Sequence, residues 1–160
     1  MVFDLFELPE REFQLIGLDY IKRVEKYLTI DDLVNLRKLV LSKSWWDSVD
    51  TLINPIGHLV FKEPVLKDTM RAWRLNDNLW LRRVSILHQL SFKEKTDTAL
   101  LQEVIVNNVQ DDEFFIQKAI GWVLRNYAKA DTSWVKKFVV SSHDDLSALS
   151  IRESMKNIKV

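Results

Sequence analysis

Two tryptophans and two aspartates crowd into the segment Ser44-Trp45-Trp46-Asp47-Ser48-Val49-Asp50, which reads as the start of a helix. A helix places residues four apart on one face, so Trp46 and Asp50 share a side. A carboxylate there can stabilise positive charge that develops on a reacting partner. By spacing alone Asp50 can equally be a solvated charge or the partner of a basic side chain. Asp47 needs no chemical role: with Ser44 as the N-cap, it falls at the third helical position and can return a hydrogen bond to the cap. Trp45 stands four residues before Val49 and is expected to join the core stripe of Val49, Leu52, Ile53, Ile56 and Val60.

A second constellation is basic. Lys118, Trp122, Arg125 and Lys129 are spaced by 4, 3 and 4 residues, opposite the apolar stripe of Ile116, Ala119, Ile120, Val123 and Tyr127. Cations that share a face with one large aromatic suit a phosphate backbone, the cations neutralising charge while the indole packs on sugar or base. An ordinary solvated basic face fits the same spacing. Arg152, Lys156 and Lys159 repeat the pattern near the C-terminus. In Asn78-Leu79-Trp80-Leu81-Arg82-Arg83, at least one of the paired arginines is expected to face the same groove as Lys118.

Other chemistries are excluded or unsupported. The absence of cysteine rules out disulfides, thiol catalysis and thiolate metal sites, and His58, His88 and His143 lack ligand-like spacing. With no ligand cluster and no Gly-rich phosphate loop, neither a metalloenzyme nor a nucleotide hydrolase is expected, and no metal or cofactor. Formal charge is zero, but residues 1–64 carry 8 basic and 11 acidic side chains while residues 65–160 carry 15 and 12. Any affinity for nucleic acid must therefore rest on where the cations sit. No apolar run is long enough to cross a bilayer and the N-terminus lacks the features of a secretory signal, so a cytoplasmic monomer without membrane contact is expected.

The elements that must position these residues are helices. At 160 residues, with 47% hydrophobic residues and only three glycines and three prolines, the chain suits one all-α domain spanning 1–160. Helices are expected at about 10–27, 30–42, 45–60, 64–75, 78–91, 98–109, 112–129, 132–141 and 151–158. Thr29 with Asp32, Ser44 with Asp47 and Ser150 with Glu153 have capping-box spacing, and Asp77, Asp97 and Asp131 read as single N-caps. Pro55 should kink or interrupt the third helix near Asn54, whereas Pro64 suits a first turn. Charged positions recur at Arg11, Asp47, Arg83, Lys118 and Arg152, at separations of 36, 36, 35 and 34 residues. Helix pairs repeated at this interval cannot bury their apolar faces alone and stack into a HEAT-like α-solenoid, although a many-helix chain with short loops can produce such spacings by accident.

In order and spacing, REFQLIGLDYI (11–21), SWWDSVD (44–50), NLWLRRVSIL (78–87), FFIQKAIGWVLRNYAK (114–129) and LSIRESMK (149–156) resemble the successive signature segments of the AlkD-like DNA glycosylases. The resemblance spans about residues 8 to 158. It implies a HEAT-like solenoid whose concave, positive surface cradles duplex DNA containing alkylated purines, and excision of N3- and N7-alkylated bases without a base-flipping pocket. By the same matching, Asp50 is the catalytic carboxylate, Trp46 and Trp122 line the deoxyribose of the lesion, and Arg83 grips the backbone beside it. Arg82, Lys118, Arg125, Lys129, Arg152 and Lys156 are the further DNA-binding candidates. Family members usually carry additional helices before the REFQ-like segment, which here stands close to the first residue. The alternative is a non-catalytic scaffold that binds DNA or protein, for which a carboxylate beside Trp46 has little use.

Overall fold

In the computed structural model, which describes residues 1–156 and 158, the chain is helical throughout with no strand among the described residues. The helices are α1 (Val2–Glu7), α2 (Arg11–Val24), α3 (Leu33–Leu41), α4 (Trp46–Lys62), α5 (Lys67–Trp73), α6 (Leu79–Leu87), α7 (Thr98–Val106), α8 (Phe114–Tyr127), α9 (Thr132–Ser141) and α10 (Ala148–Ser154). Short 3₁₀ turns at Glu25–Tyr27, Ile30–Asp32, Pro64–Leu66 and Lys93–Lys95 join some of them. The fold is a HEAT-like repeat solenoid.

Local side-chain chemistry sets the helix starts. Thr29 and Asp32 form the expected capping box ahead of α3, the Thr29 N–H donating to Asp32 Oδ2 at 2.8 Å. Asp97 and Asp131 cap α7 and α9 through the N–H groups of Leu100 and Trp134. Three expected caps are replaced by neighbours. The Ser44 hydroxyl donates to Val40 O at the end of α3, and the N-cap position of α4 falls to Trp45. There Ser48 exchanges hydrogen bonds with the backbone N–H and C=O of Trp45. Asn78 instead of Asp77 accepts the Trp80 and Leu81 N–H groups. Ser147 instead of Ser150 caps α10, which begins three residues earlier than expected and leaves Ser150 and Glu153 free to face α8.

Two prolines and an unexpected first helix complete the local picture. Pro64 opens a 3₁₀ turn. The expected break at Pro55 is absent: α4 runs unbroken to Lys62. Burial of Leu52, Ile53, Pro55 and Ile56 holds the helix across the missing N–H. The short α1, not anticipated by periodicity, is secured by Phe6, which is 3% exposed against α2.

The repeat period is visible as physical ties between stacked layers. Arg11 pairs with Asp47, Lys62 donates to Leu28 O, Arg83 pairs with Asp50, Asn108 donates to Arg74 O, Asn126 to Leu90 O, and Ser150 to Gln117 O. Each tie joins residues 33 to 36 positions apart. The core has two adjoining parts, one from Phe6 to Val84 and one centred on α8 and α9, and α4 and α6 supply side chains to both. Tight approach at this seam requires glycine: a Cβ on Gly57 would lie 2.2 Å from His88 O.

Candidate active site

Asp50 leaves α4 at the seam between the two core parts, opposite Arg83 of α6 and beside α8. Arg83 is only 4% exposed, on a helix whose Leu81 and Val84 are fully buried. Such burial of a guanidinium is tolerable because its donors are satisfied. Its Nε and Nη2 donate to the two oxygens of Asp50, each at 2.8 Å, and Nη1 donates to Phe115 O. Bidentate pairing fixes the plane of the carboxylate as well as its position. The guanidinium also lies 5.9 Å from the ring centres of both Phe115 and Trp122.

Two clefts, each of about 230 Å³, open on either side of this pair. Asp50, Asn54, Leu90, Ser91, Trp122 and Asn126 line one; Trp46, Arg83, Phe114, Phe115 and Lys118 line the other. Trp46, Asp50, Arg83 and Trp122, drawn from three helices, are thus brought together. Trp46 is 48% exposed, and α4 places it one turn before Asp50, where its indole is available to a ligand. Trp45, expected in the core, is 49% exposed. As the N-cap it is extended, with φ −147° and ψ 163°, so the helical spacing that assigned it to the apolar stripe does not apply. It meets Trp80 and Phe115 edge-on instead. Asp47 keeps a structural place with different partners, accepting from the Ser48 N–H and pairing with Arg11.

The basic candidates divide into three groups. Lys118, Arg125 and Lys156 converge on Glu153, with Nζ–Oε2 3.2 Å, Nη1–Oε2 2.9 Å and Nζ–Oε1 2.7 Å. Lys129 and Arg152 are exposed, Lys129 within reach of Asn126 Oδ1 at 3.4 Å. Arg82 is not brought to the site: it donates to Asp111 and to the carbonyls of Asn76 and Asp77, in a separate cleft shared with Arg74 and Asn107. Consecutive residues on a helix diverge by about 100°, so the paired arginines face different surfaces. Lys159 lies outside the described residues.

Glu153 escaped the sequence reading because its spacing from Ser150 matched a capping box. Its separation of three residues from Lys156 was the available signal. Lys156, then Lys118 and Arg125, hold its carboxyl down to about 2 against the opposing effect of burial. Its charge therefore persists across the neutral and mildly acidic range.

The chain as a whole matches a known family. The family model described as DNA alkylation repair enzyme matches residues 1–158. A solved structure described as "Predicted DNA alkylation repair enzyme from Enterococcus faecalis" is similar with a TM-score of 0.90 and 34% identity, covering 98% of this chain and 73% of that one. No curated protein matches the sequence. No described helix is long and apolar enough to cross a membrane. On the extent of the family match and the identity to that structure, the chain belongs to the DNA alkylation repair enzyme family.

Proposed function

We propose that the chain is a DNA glycosylase that hydrolyses the N-glycosidic bond of cationic N3- and N7-alkylated purines in duplex DNA. The observation that carries this reading is the fixed Asp50 carboxylate, held by two Arg83 donors at 2.8 Å in a cleft walled by Trp122. An alkylated purine bears positive charge, so when its bond to C1′ breaks the electron pair neutralises the departing base. The deoxyribose is left as an oxocarbenium-like cation. Asp50 is placed to stabilise that cation, the logic shared with glycoside hydrolases, and to orient the water whose oxygen joins C1′. The proton lost by that water passes to Asp50 or to solvent.

Both oxygens of Asp50 accept from Arg83, yet a carboxylate oxygen has a second acceptor site, which leaves capacity for water. The Trp122 indole in the Asp50 cleft supplies a π-face to that cation, and Trp46 borders the sugar from the adjoining cleft across the Arg83–Asp50 pair. Trp122 already attracts the Arg83 guanidinium. In this role Arg83 chiefly orients Asp50. Its buried charge is committed there, while Lys118, Arg125, Lys129, Arg152 and Lys156 meet the phosphates. Both clefts are open to solvent and neither is an enclosed pocket, which favours recognition of the lesion through its charge and sugar over capture of a whole flipped base.

The test is single-turnover release of N7-methylguanine from methylated duplex DNA by the wild-type chain and by Asp50→Asn. Release by the wild type and its loss in the variant support the assignment. Binding of duplex DNA with no release would favour the non-catalytic scaffold.

A further inference from the structure

Glu153 presents an arrangement that a helix staple does not require. A tie between two helices needs one cation for one carboxylate, whereas here three cations surround a side chain that is 6% exposed. Lys118 and Arg125 lie two turns apart on α8, and Gly121 stands between them. A Cβ on Gly121 would lie 2.4 Å from Glu153 Cβ and 3.1 Å from Ser150 O. Only the missing side chain lets α10 come close enough to set Glu153 between both cations. The Ser150 hydroxyl, donating to Gln117 O at 2.9 Å, fixes the position of α10 along α8.

One carboxylate cancels one of the three charges and leaves a net +2. Lysine has three N–H groups and arginine five, so each side chain keeps donors beyond the one spent on Glu153. Lys118 also lines the cleft of Trp46 and Arg83. Since the Arg83 charge is spent on Asp50, the unbalanced positive charge next to that cleft comes from this cluster.

We infer that Glu153 is a positioning residue, holding Lys118, Arg125 and Lys156 as one prealigned array for the phosphates of the DNA backbone beside the cleft. The inference rests on duplex DNA being the ligand, as proposed above. A carboxylate near phosphates should by charge alone weaken binding, and it aids binding only if fixing three long side chains outweighs that repulsion. The two effects have opposite signs, which makes the role testable.

Glu153→Gln keeps the shape and raises the net charge by one. Counting charge predicts tighter DNA binding; positioning predicts a loss of about tenfold near physiological salt. It also predicts that the slope of log affinity against log salt flattens by about 0.9 for each phosphate that is no longer neutralised. Lys118→Ala should then cost less in the Glu153→Gln background than in the wild type. Glu153→Asp retains the charge and shortens the reach, so it should weaken binding too, with both variants measured well below their melting temperatures. In the free protein, NMR signals of the Lys118 and Lys156 ammonium groups should be protected in wild type and lost in either variant. Tighter or unchanged binding by Glu153→Gln, with full additivity to Lys118→Ala, would overturn the inference. A wild-type chain that binds no duplex at all would overturn the functional reading and the role of the array with it. That failure is recognisable because the protected ammonium signals would remain.

Discussion

Replacing Asp50 with asparagine should produce two losses of different origin, and the structure sets the size of each. The side chains of Arg83 and Asp50 are 5% and 15% exposed, so Asp50→Asn leaves a buried guanidinium without its counter-charge. Breaking a buried pair from one side costs about 3–5 kcal/mol; because asparagine retains one acceptor oxygen, about 3 kcal/mol is expected. For a chain of this size that corresponds to a melting temperature lower by roughly 6–12 °C. The second loss is chemical. Removing one preorganised charge from the developing sugar cation should slow single-turnover release of N7-methylguanine by about 10²–10³-fold. Asp50→Leu combined with Arg83→Met separates the two, since an apolar pair of similar volume removes both charges. It should melt within a few degrees of wild type and still release no base. The reasoning is refuted if Asp50→Asn melts like wild type, or if the double variant excises at the wild-type rate.

Asp47→Asn is the matched control: the Asp47–Arg11 pair is 35% and 40% exposed, so about 1 kcal/mol or less of stability should be lost, with base release unchanged. Lys118→Ala should reduce the salt slope of DNA binding by about 0.9. Arg82→Ala, whose charge is held by Asp111 in another cleft, should leave the slope unchanged. His88 is buried, with its pKa pushed down to about 4 chiefly by burial and its Nε2 unpartnered. Because the unfolded chain takes up this proton near 6.5 and the folded chain only near 4, stability is full above pH 6.5 and falls as pH drops towards 4, by about 3 kcal/mol. Melting curves of wild type and His88→Gln across that interval should converge at low pH. Gly121→Ala should destabilise by about 1–3 kcal/mol, because its Cβ meets Glu153 Cβ at 2.4 Å and α10 must move.

Helical spacing was informative for the site residues that sit inside helices. It joined Trp46 to Asp50, and it placed Lys118, Trp122 and Arg125 on one side of α8. The interval of 34 to 36 residues has a cause in the ties between layers, as in Arg11 with Asp47 and Asn126 with Leu90 O. Inference failed at helix ends, where one hydroxyl has several possible acceptors. Ser44 was equally able to open α4 or close α3, and only the packed geometry chose the carbonyl of Val40. Trp45 was misplaced for the same reason, since a capping residue has left the helical geometry on which face assignments depend. Depth was the other illegible quantity. Arg82 and Arg83 are identical in type and adjacent in sequence, and their difference arises from what α4 and α8 place opposite Arg83.

Depth also separates the two arginine–aspartate ties that α4 makes with its neighbours. Arg11–Asp47 and Arg83–Asp50 join adjacent layers in the same way, at separations of 36 and 33 residues. The first is half-exposed and adds little beyond a weak surface attraction. The second is buried, and a buried ion pair gains no stability that an apolar pair could not supply, because desolvation of both charges offsets their attraction. As a fold element, Arg83–Asp50 is therefore a poor choice next to the leucines and valines around it. Under the proposed reaction its geometry makes sense through the cleft it borders: an oriented carboxylate with spare acceptor capacity, an indole beside it, and the cations of α8 nearby. A tie of the kind that joins neighbouring layers has been sunk into the seam at one level, and the proposed reaction gives it a use other than holding helices together.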